Sequence, residues 1–157
     1  MQQRIERFSR LLKLRENARQ TEQIVLAEER NEEETVLHRI DSLGKEKAQA
    51  MDEFCRGGEK TFSRQEIWFQ RQTIEVIEKR LDKSREQCDE VRRRIAETEE
   101  RLAERHREVR LMEGYVDRLR TDAFKASIDA EQSELDDIAL TRQARVNIQA
   151  QWGGIRS

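Results

Sequence analysis

Apolar residues recur at alternating spacings of three and four along the second part of the chain. This heptad spacing is typical of a helix that buries one narrow seam against another helix. It predicts one long helix from about residue 64 to about residue 150. The positions on the seam are Ile67, Gln70, Ile74, Ile77, Leu81, Ser84, Cys88, Val91, Ile95, Thr98, Leu102, Arg105, Val109, Met112, Val116, Leu119 and Ala123.

The first third of the chain repeats the spacing with more polar interruptions. It predicts a first helix from about residue 4 to residue 54. The corresponding positions are Ile5, Phe8, Leu12, Arg15, Arg19, Glu22, Leu26, Glu29, Glu33, Val36, Ile40, Leu43, Lys47, Ala50 and Phe54.

A turn is predicted between the two helices, at residues 55–63. Pro is absent from the whole chain, and Gly57-Gly58 is the only Gly pair before the C-terminus. A helix interior loses about 3 kcal/mol to Pro and about 1 kcal/mol to Gly, so the pair is expected to end the first helix. Gly also tolerates the left-handed backbone that ends a helix. Ser63 and Glu66 have the spacing of a capping box for the second helix. The predicted fold is all-α: a two-helix antiparallel coiled-coil hairpin with a longer second helix, forming a single coiled-coil domain over residues 1–157.

The two seams predict a register in which the numbers of facing residues add to 117. Under it, the helix beyond about Gly114 has no partner within the chain. The apolar residues there also change phase, at Phe124, Ile128, Leu135 and Ile138. Either this segment frays or self-associates, or a partner protein covers it. The facing pairs are Ile5 with Met112, Phe8 with Val109, Leu26 with Val91, Val36 with Leu81, Ile40 with Ile77, Leu43 with Ile74, Arg19 with Thr98, Glu33 with Ser84, and Lys47 with Gln70.

Composition agrees with a narrow seam, because 41% of the residues are charged and only 35% are hydrophobic. Disorder is the alternative for such a composition, and the regular seam argues against it. A net charge of -2 gives no strong attraction to nucleic acid. No apolar run is long enough to span a membrane, and the N-terminus lacks the apolar core of a signal peptide. We therefore expect a soluble, cytoplasmic protein that neither binds nucleic acid nor inserts into a membrane, with Cys55 and Cys88 inert.

Charge and aromatic residues are unevenly distributed. The first 19 residues have a local charge of +4, and residues 22–34 have a local charge of -5. Both segments could be solvated flanks of a coiled coil, or the basic start could dock on an acidic surface. Aromatic residues cluster near the turn, where they could cap the hairpin or anchor an interface. They are Phe54, Phe62, Trp68 and Phe69.

No catalytic arrangement is visible in the sequence. The two histidines, His38 and His106, are far apart under the predicted register, and no glycine-rich phosphate loop is present. A two-helix hairpin also offers no concave pocket of the size that ligands use. We expect a protein that is not an enzyme and that binds no cofactor or metal.

The opening run Arg7-Phe8-Ser9-Arg10-Leu11-Leu12-Lys13-Leu14-Arg15-Glu16 resembles the start of the flagellar export protein FliJ, whose members open with Phe and then Leu-Leu-x-Leu-Arg-Glu. The run Glu131-Gln132-Ser133-Glu134-Leu135-Asp136-Asp137-Ile138-Ala139 resembles the late "E-L-D-E-I-A" segment of the same family. The injectisome stalk proteins of the YscO family share this architecture and are the near alternative.

The resemblance implies a central-stalk component of a type III flagellar export apparatus. Its open end would enter the hexameric export ATPase, and its tip would contact the cytoplasmic domain of the membrane export gate. Some family members also bind export chaperones. Carried over to this chain, the ATPase-binding residues are Arg4, Arg7, Phe8, Leu12, Arg15, Phe124, Ile128, Leu135 and Ile138. The gate-binding residues are Phe62, Trp68 and Phe69.

Two other classes of function are compatible with the sequence. A self-assembling structural coiled coil would pair the unpartnered helix with a second copy. A holdase-like chaperone would grip clients with exposed apolar helix ends.

Overall fold

The described residues form two α-helices, α1 (Gln2–Arg56) and α2 (Arg64–Ile155). The computed structural model describes residues 1–57 and 62–155, without the side chain of Ile155. The described residues contain no strand, and the two helices pack against each other. The predicted all-α hairpin with a longer second helix is therefore confirmed. The predicted helix limits agree to within two residues, except that α2 continues to Ile155 instead of ending near 150.

The chain divides into two compact units, of which one is Glu16–Arg107. Within it, α1 and α2 run antiparallel, and their seam contains two clusters of buried apolar side chains. Leu26, Val91 and Ile95 belong to one cluster, and Leu43, Ile77 and Leu81 belong to the other. On α2, every predicted seam position from Gln70 to Arg105 is buried or half-buried, as the heptad pattern predicts.

The other unit comprises Met1–Arg15 and Glu108–Ser157. Here the rings of Phe8 and Tyr115 meet edge to face, with centroids 4.8 Å apart. The guanidinium of Arg4 donates a hydrogen bond of 2.8 Å to the hydroxyl of Tyr115. The seam positions of α2 continue to be covered as far as Ala123, and Val116 and Leu119 are buried.

The predicted register is wrong by about one heptad. Lys47 pairs with Glu78 instead of Gln70, and Arg19 lies beside His106 instead of Thr98. In the other unit, Phe8 contacts Tyr115 instead of Val109. Each observed partner lies six to eight residues further along α2 than the predicted one. A shift of seven residues keeps every apolar position on the seam, so the apolar pattern alone does not distinguish the two registers.

The shift also moves the start of the unpartnered helix. The prediction placed it after about Gly114, but Tyr115 and Ala123 are half-buried. From Phe124 onward, every described side chain is exposed, as far as Gly154. We call residues 124–154 the overhang.

Gly57, directly after α1, packs closely against the ring of Phe62. Gly57 is buried and its φ is not positive, so it does not use the left-handed backbone that Gly tolerates. A Cβ atom at Gly57 would overlap the ring of Phe62, so a larger residue here would displace the ring. Gly58 lies outside the described residues. The capping box is confirmed, because the amide of Glu66 donates to Ser63 Oγ and the amide of Ser63 donates to Glu66 Oε2.

The acidic segment of α1 is used within the hairpin. Its carboxylates pair with arginines of α2, as in Glu22–Arg101, Glu32–Arg94 and Glu33–Arg92. The hydrogen bond from Arg94 to Glu32 raises the pKa of the guanidinium. On α2 itself, the hydrogen bond and charge of Arg93 lower the pKa of Glu90. The negative charge of residues 22–34 is therefore explained by the fold and indicates no separate binding site.

Candidate partner-binding surfaces

The overhang presents a row of large apolar side chains to solvent. Phe124, Ile128, Leu135 and Ile138 are all exposed, and their spacings of four, seven and three place them on one face of α2. We call these four residues the free stripe. They are one step out of phase with the seam that ends at Ala123, as the sequence predicted. Among the described residues, none of the ion pairs involves a side chain of the overhang.

A basic surface lies on the first turns of α1, in the same unit as the overhang. Arg7, Arg10 and Lys13 are exposed, and the structure shows no hydrogen bond or ion pair for them within the described residues. Two other basic residues are engaged, because Arg4 donates to Tyr115 and Arg15 pairs with Glu108 at 2.9 Å. The first turn of α1 contains no acidic residue, and of these basic residues only Arg4 lies within it, where the helix dipole disfavours a cation.

The residues at the start of α1 lie on two different faces of the helix. Phe8 and Leu12 are half-buried in the seam, so they support the hairpin and are only partly available to a partner. Leu11 and Leu14 are exposed on the same face of α1 as Arg7 and Arg10. We call Arg7, Arg10, Leu11 and Leu14 the outer face. The sequence reasoning missed the two leucines, although their spacing from Arg7, out of phase with the seam, is the signal that would have found them.

In the unit Glu16–Arg107, two neighbouring aromatic side chains are left in solvent near the start of α2. Trp68 is 64% exposed and Phe69 is 68% exposed. Phe62 differs from them, because its ring packs on Gly57 and is half-buried. Phe54, the aromatic residue on the seam, is also half-buried. Trp68 and Phe69 are therefore the aromatic pair that a partner can reach.

The histidines and cysteines lie at separate points along the two helices. No group of three or more His, Cys, Asp or Glu side chains among them is arranged to hold a metal ion. His38 lies near Glu34 on its own helix, while His106 lies beside Arg19 across the seam. Cys88 is buried in the seam and Cys55 is exposed, and neither forms a disulfide.

No helix in the described part of the chain has the length and apolar character needed to cross a membrane.

These features define an antiparallel coiled-coil hairpin whose second helix continues beyond its partner and leaves an apolar stripe uncovered. Residues 3–147 match the family model described as Flagellar FliJ protein. The chain belongs to the FliJ family, and membership implies a component of the flagellar export apparatus. Neither the curated proteins nor the solved structures contain a match to the chain.

Proposed function

We propose that this protein is a central-stalk component of the flagellar export apparatus. Its overhang and the outer face of α1 enter the hexameric export ATPase, and its aromatic pair contacts the cytoplasmic domain of the export gate. The protein has no catalytic activity of its own and raises that of the ATPase. It works in the cytoplasm, peripheral to the membrane. Export chaperones are further proposed partners, without an assigned surface.

The observation that carries the proposal is the exposure of the free stripe over the whole overhang. An isolated helix with an uncovered apolar row is marginal in water, whereas most helix stability in proteins comes from packing that row against a partner. Burying a large apolar side chain contributes about 1.5–3 kcal/mol. Four such side chains on one face give a partner enough apolar surface for specific binding.

The outer face supports the same assignment through charge. Cations that have no partner among the described residues attract an acidic surface and accelerate association with it. Salt screens this attraction and slows the association. Arg7 and Arg10 satisfy this condition and lie one turn apart on the exposed side of α1.

The charge reversal Arg7→Glu with Arg10→Glu should weaken binding to the hexameric export ATPase by roughly tenfold, mainly through slower association. Binding is measured by surface plasmon resonance at several salt concentrations, and the variant should show a weaker salt dependence than the wild type.

The matched control for charge reversal is Arg80→Glu with Lys83→Glu in the other unit. This pair undergoes the same change in net charge, and both residues are exposed without an ion pair within the described residues. It should bind as the wild type does. If both double variants lose affinity equally, net charge rather than the outer face determines binding, and this part of the proposal fails.

For the aromatic pair, the change Trp68→Ala with Phe69→Ala should lower affinity for the cytoplasmic domain of the export gate by tenfold or more, since exposed aromatic residues often dominate interface energies. ATPase binding should stay the same. Titration calorimetry with each purified partner measures both affinities.

Ile24→Ala, an exposed apolar change in the same unit, is the control and should leave both affinities unchanged. Loss of ATPase binding in the aromatic variant would mean that the two surfaces have been assigned to the wrong partners.

A further inference from the structure

Beyond Lys125, the charges of the overhang are divided by sign into an acidic segment and a basic segment. Residues 129–137 contain five acidic side chains and no basic one, and residues 138–154 contain Arg142 and Arg145 and no acidic one. None of these charges takes part in an ion pair within the described residues. A helix with opposite charges at its two ends is complementary to a second copy that runs in the opposite direction.

The free stripe can be extended at the same spacing to the end of the described chain. Continuing from Ile138 in steps of four and three residues brings Arg142, Arg145, Gln149 and Trp152 onto the same face, and Glu131 lies on it between Ile128 and Leu135. This face therefore mixes exposed apolar residues with charges of both signs.

Only one antiparallel arrangement of two such faces pairs the central apolar residues with each other. When the numbers of facing residues add to 273, Leu135 of one copy faces Ile138 of the other, and Glu131 faces Arg142. The two-fold symmetry produces each pair twice. A shift by one heptad to a sum of 280 places Leu135 and Ile138 opposite arginines. A shift the other way, to 266, places Leu135 opposite Glu131, although Ile138 then faces Ile128. Parallel pairing places Glu131 against Glu131 and Arg142 against Arg142, which is unfavourable.

We propose that two copies of this chain pair antiparallel through their overhangs, forming a reversible dimer that covers the centre of the free stripe. In this register Ile128 faces Arg145 and Phe124 faces Gln149. The central layers of Leu135 and Ile138 supply the apolar contact, and the two Glu131–Arg142 layers specify direction and register. Because arginine and glutamate occupy seam positions, the dimer is weaker than a fully apolar coiled coil and dissociates on dilution. The dimer and the proposed complex with the export ATPase use the same stripe and exclude each other. The pairing itself is a property of the chain alone and does not depend on that complex.

The pairing is tested on the full-length protein by sedimentation velocity from about 1 to about 100 μM, a range that resolves micromolar dissociation constants. The wild type should change from monomer to dimer with concentration. Glu131→Arg places two arginines together in both charged layers, so the dissociation constant should rise at least about tenfold. Adding Arg142→Glu exchanges the charges and should restore the wild-type constant to within about threefold. Circular dichroism should show the same helix content for all variants.

Asp137→Arg is the matched control, because it makes the same charge change at a position outside the proposed seam. It should leave the dissociation constant within about threefold of the wild type. A monomer at every concentration would contradict the proposal. So would a dimer that Glu131→Arg does not weaken, or one that Arg142→Glu does not restore. Each of these outcomes leaves the ATPase assays with the Arg7 and Arg10 variant unaffected, so the two proposals can fail separately.

Discussion

Replacing Leu135 by Glu should reduce affinity for the hexameric export ATPase by roughly 10- to 100-fold. Leu135 is at the centre of the free stripe and is 65% exposed in the unbound chain. Burying a leucine against a partner contributes about 1.5–3 kcal/mol, and each 1.4 kcal/mol corresponds to about a factor of ten. A glutamate in its place removes that contribution and adds the cost of desolvating a carboxylate. Binding is measured by titration calorimetry, and stimulation of ATP hydrolysis should fall in parallel.

Leu140→Glu is a closely matched control for this change. Leu140 is also 65% exposed and lies five residues further along the same helix, on a different face. Neither leucine is buried, so both variants should unfold at the wild-type temperature. If the two variants lose the same affinity, the overhang binds without using the stripe. If neither loses affinity, the overhang is not the ATPase-binding surface.

Replacing Thr98 by Val should destabilise the hairpin by about 1–3 kcal/mol, the cost of leaving a buried polar group without its hydrogen-bond partner. The hydroxyl of Thr98 lies 2.9 Å from both carboxylate oxygens of Glu29, and it accepts a hydrogen bond from Arg101. Thr98 is 0% exposed and Glu29 is also buried, so water cannot replace the lost donor. The loss is measured as a lower midpoint in urea unfolding.

Thr35→Val is the control for the hydroxyl, since the Thr35 side chain is exposed and donates only to the carbonyl of Asn31 in its own helix. It should change the stability by no more than about 0.5 kcal/mol. Combining Thr98→Val with Glu29→Leu should recover most of the loss, because the buried carboxylate is removed together with its donor. Arg101, which also donates to Thr98, keeps its ion pair with Glu22 and its exposure to water. If the single and double variants were equally unstable, Thr98 would matter for its shape and not for its hydrogen bonds.

The fold could be predicted from apolar spacing, but the register could not. Polar contacts across the seam, such as the one between Glu29 and Thr98, do not follow from that spacing. Apolar spacing predicted both helices and the seam positions of α2, since the helix period determines which side chains face a partner helix. A register shift of seven residues keeps the same positions on the seam and changes only how far along α2 they are covered, so polar contacts must select between the two registers. The prediction matched polar positions with polar positions and placed Lys47 opposite Gln70, whereas the fold pairs Lys47 with the carboxylate of Glu78.

The candidate surfaces were predictable to different degrees. The free stripe could be found because its phase differs from that of the seam, although the register error placed the start of the overhang near Gly114 instead of Phe124. The outer leucines, Leu11 and Leu14, were not predicted, because the family motif that contains them does not distinguish residues that face solvent from residues that face the seam. The packing of Phe62 on Gly57 brings together residues of two separate segments, and spacing along the chain does not specify such a contact.

Titration of the full-length protein into the hexameric export ATPase tests the central claim most directly, with binding and the rate of ATP hydrolysis followed together. The proposed stalk function predicts saturable binding and a hydrolysis rate that rises with occupancy of the hexamer. Absence of both binding and any change in rate, with a chain shown to be folded, would contradict it.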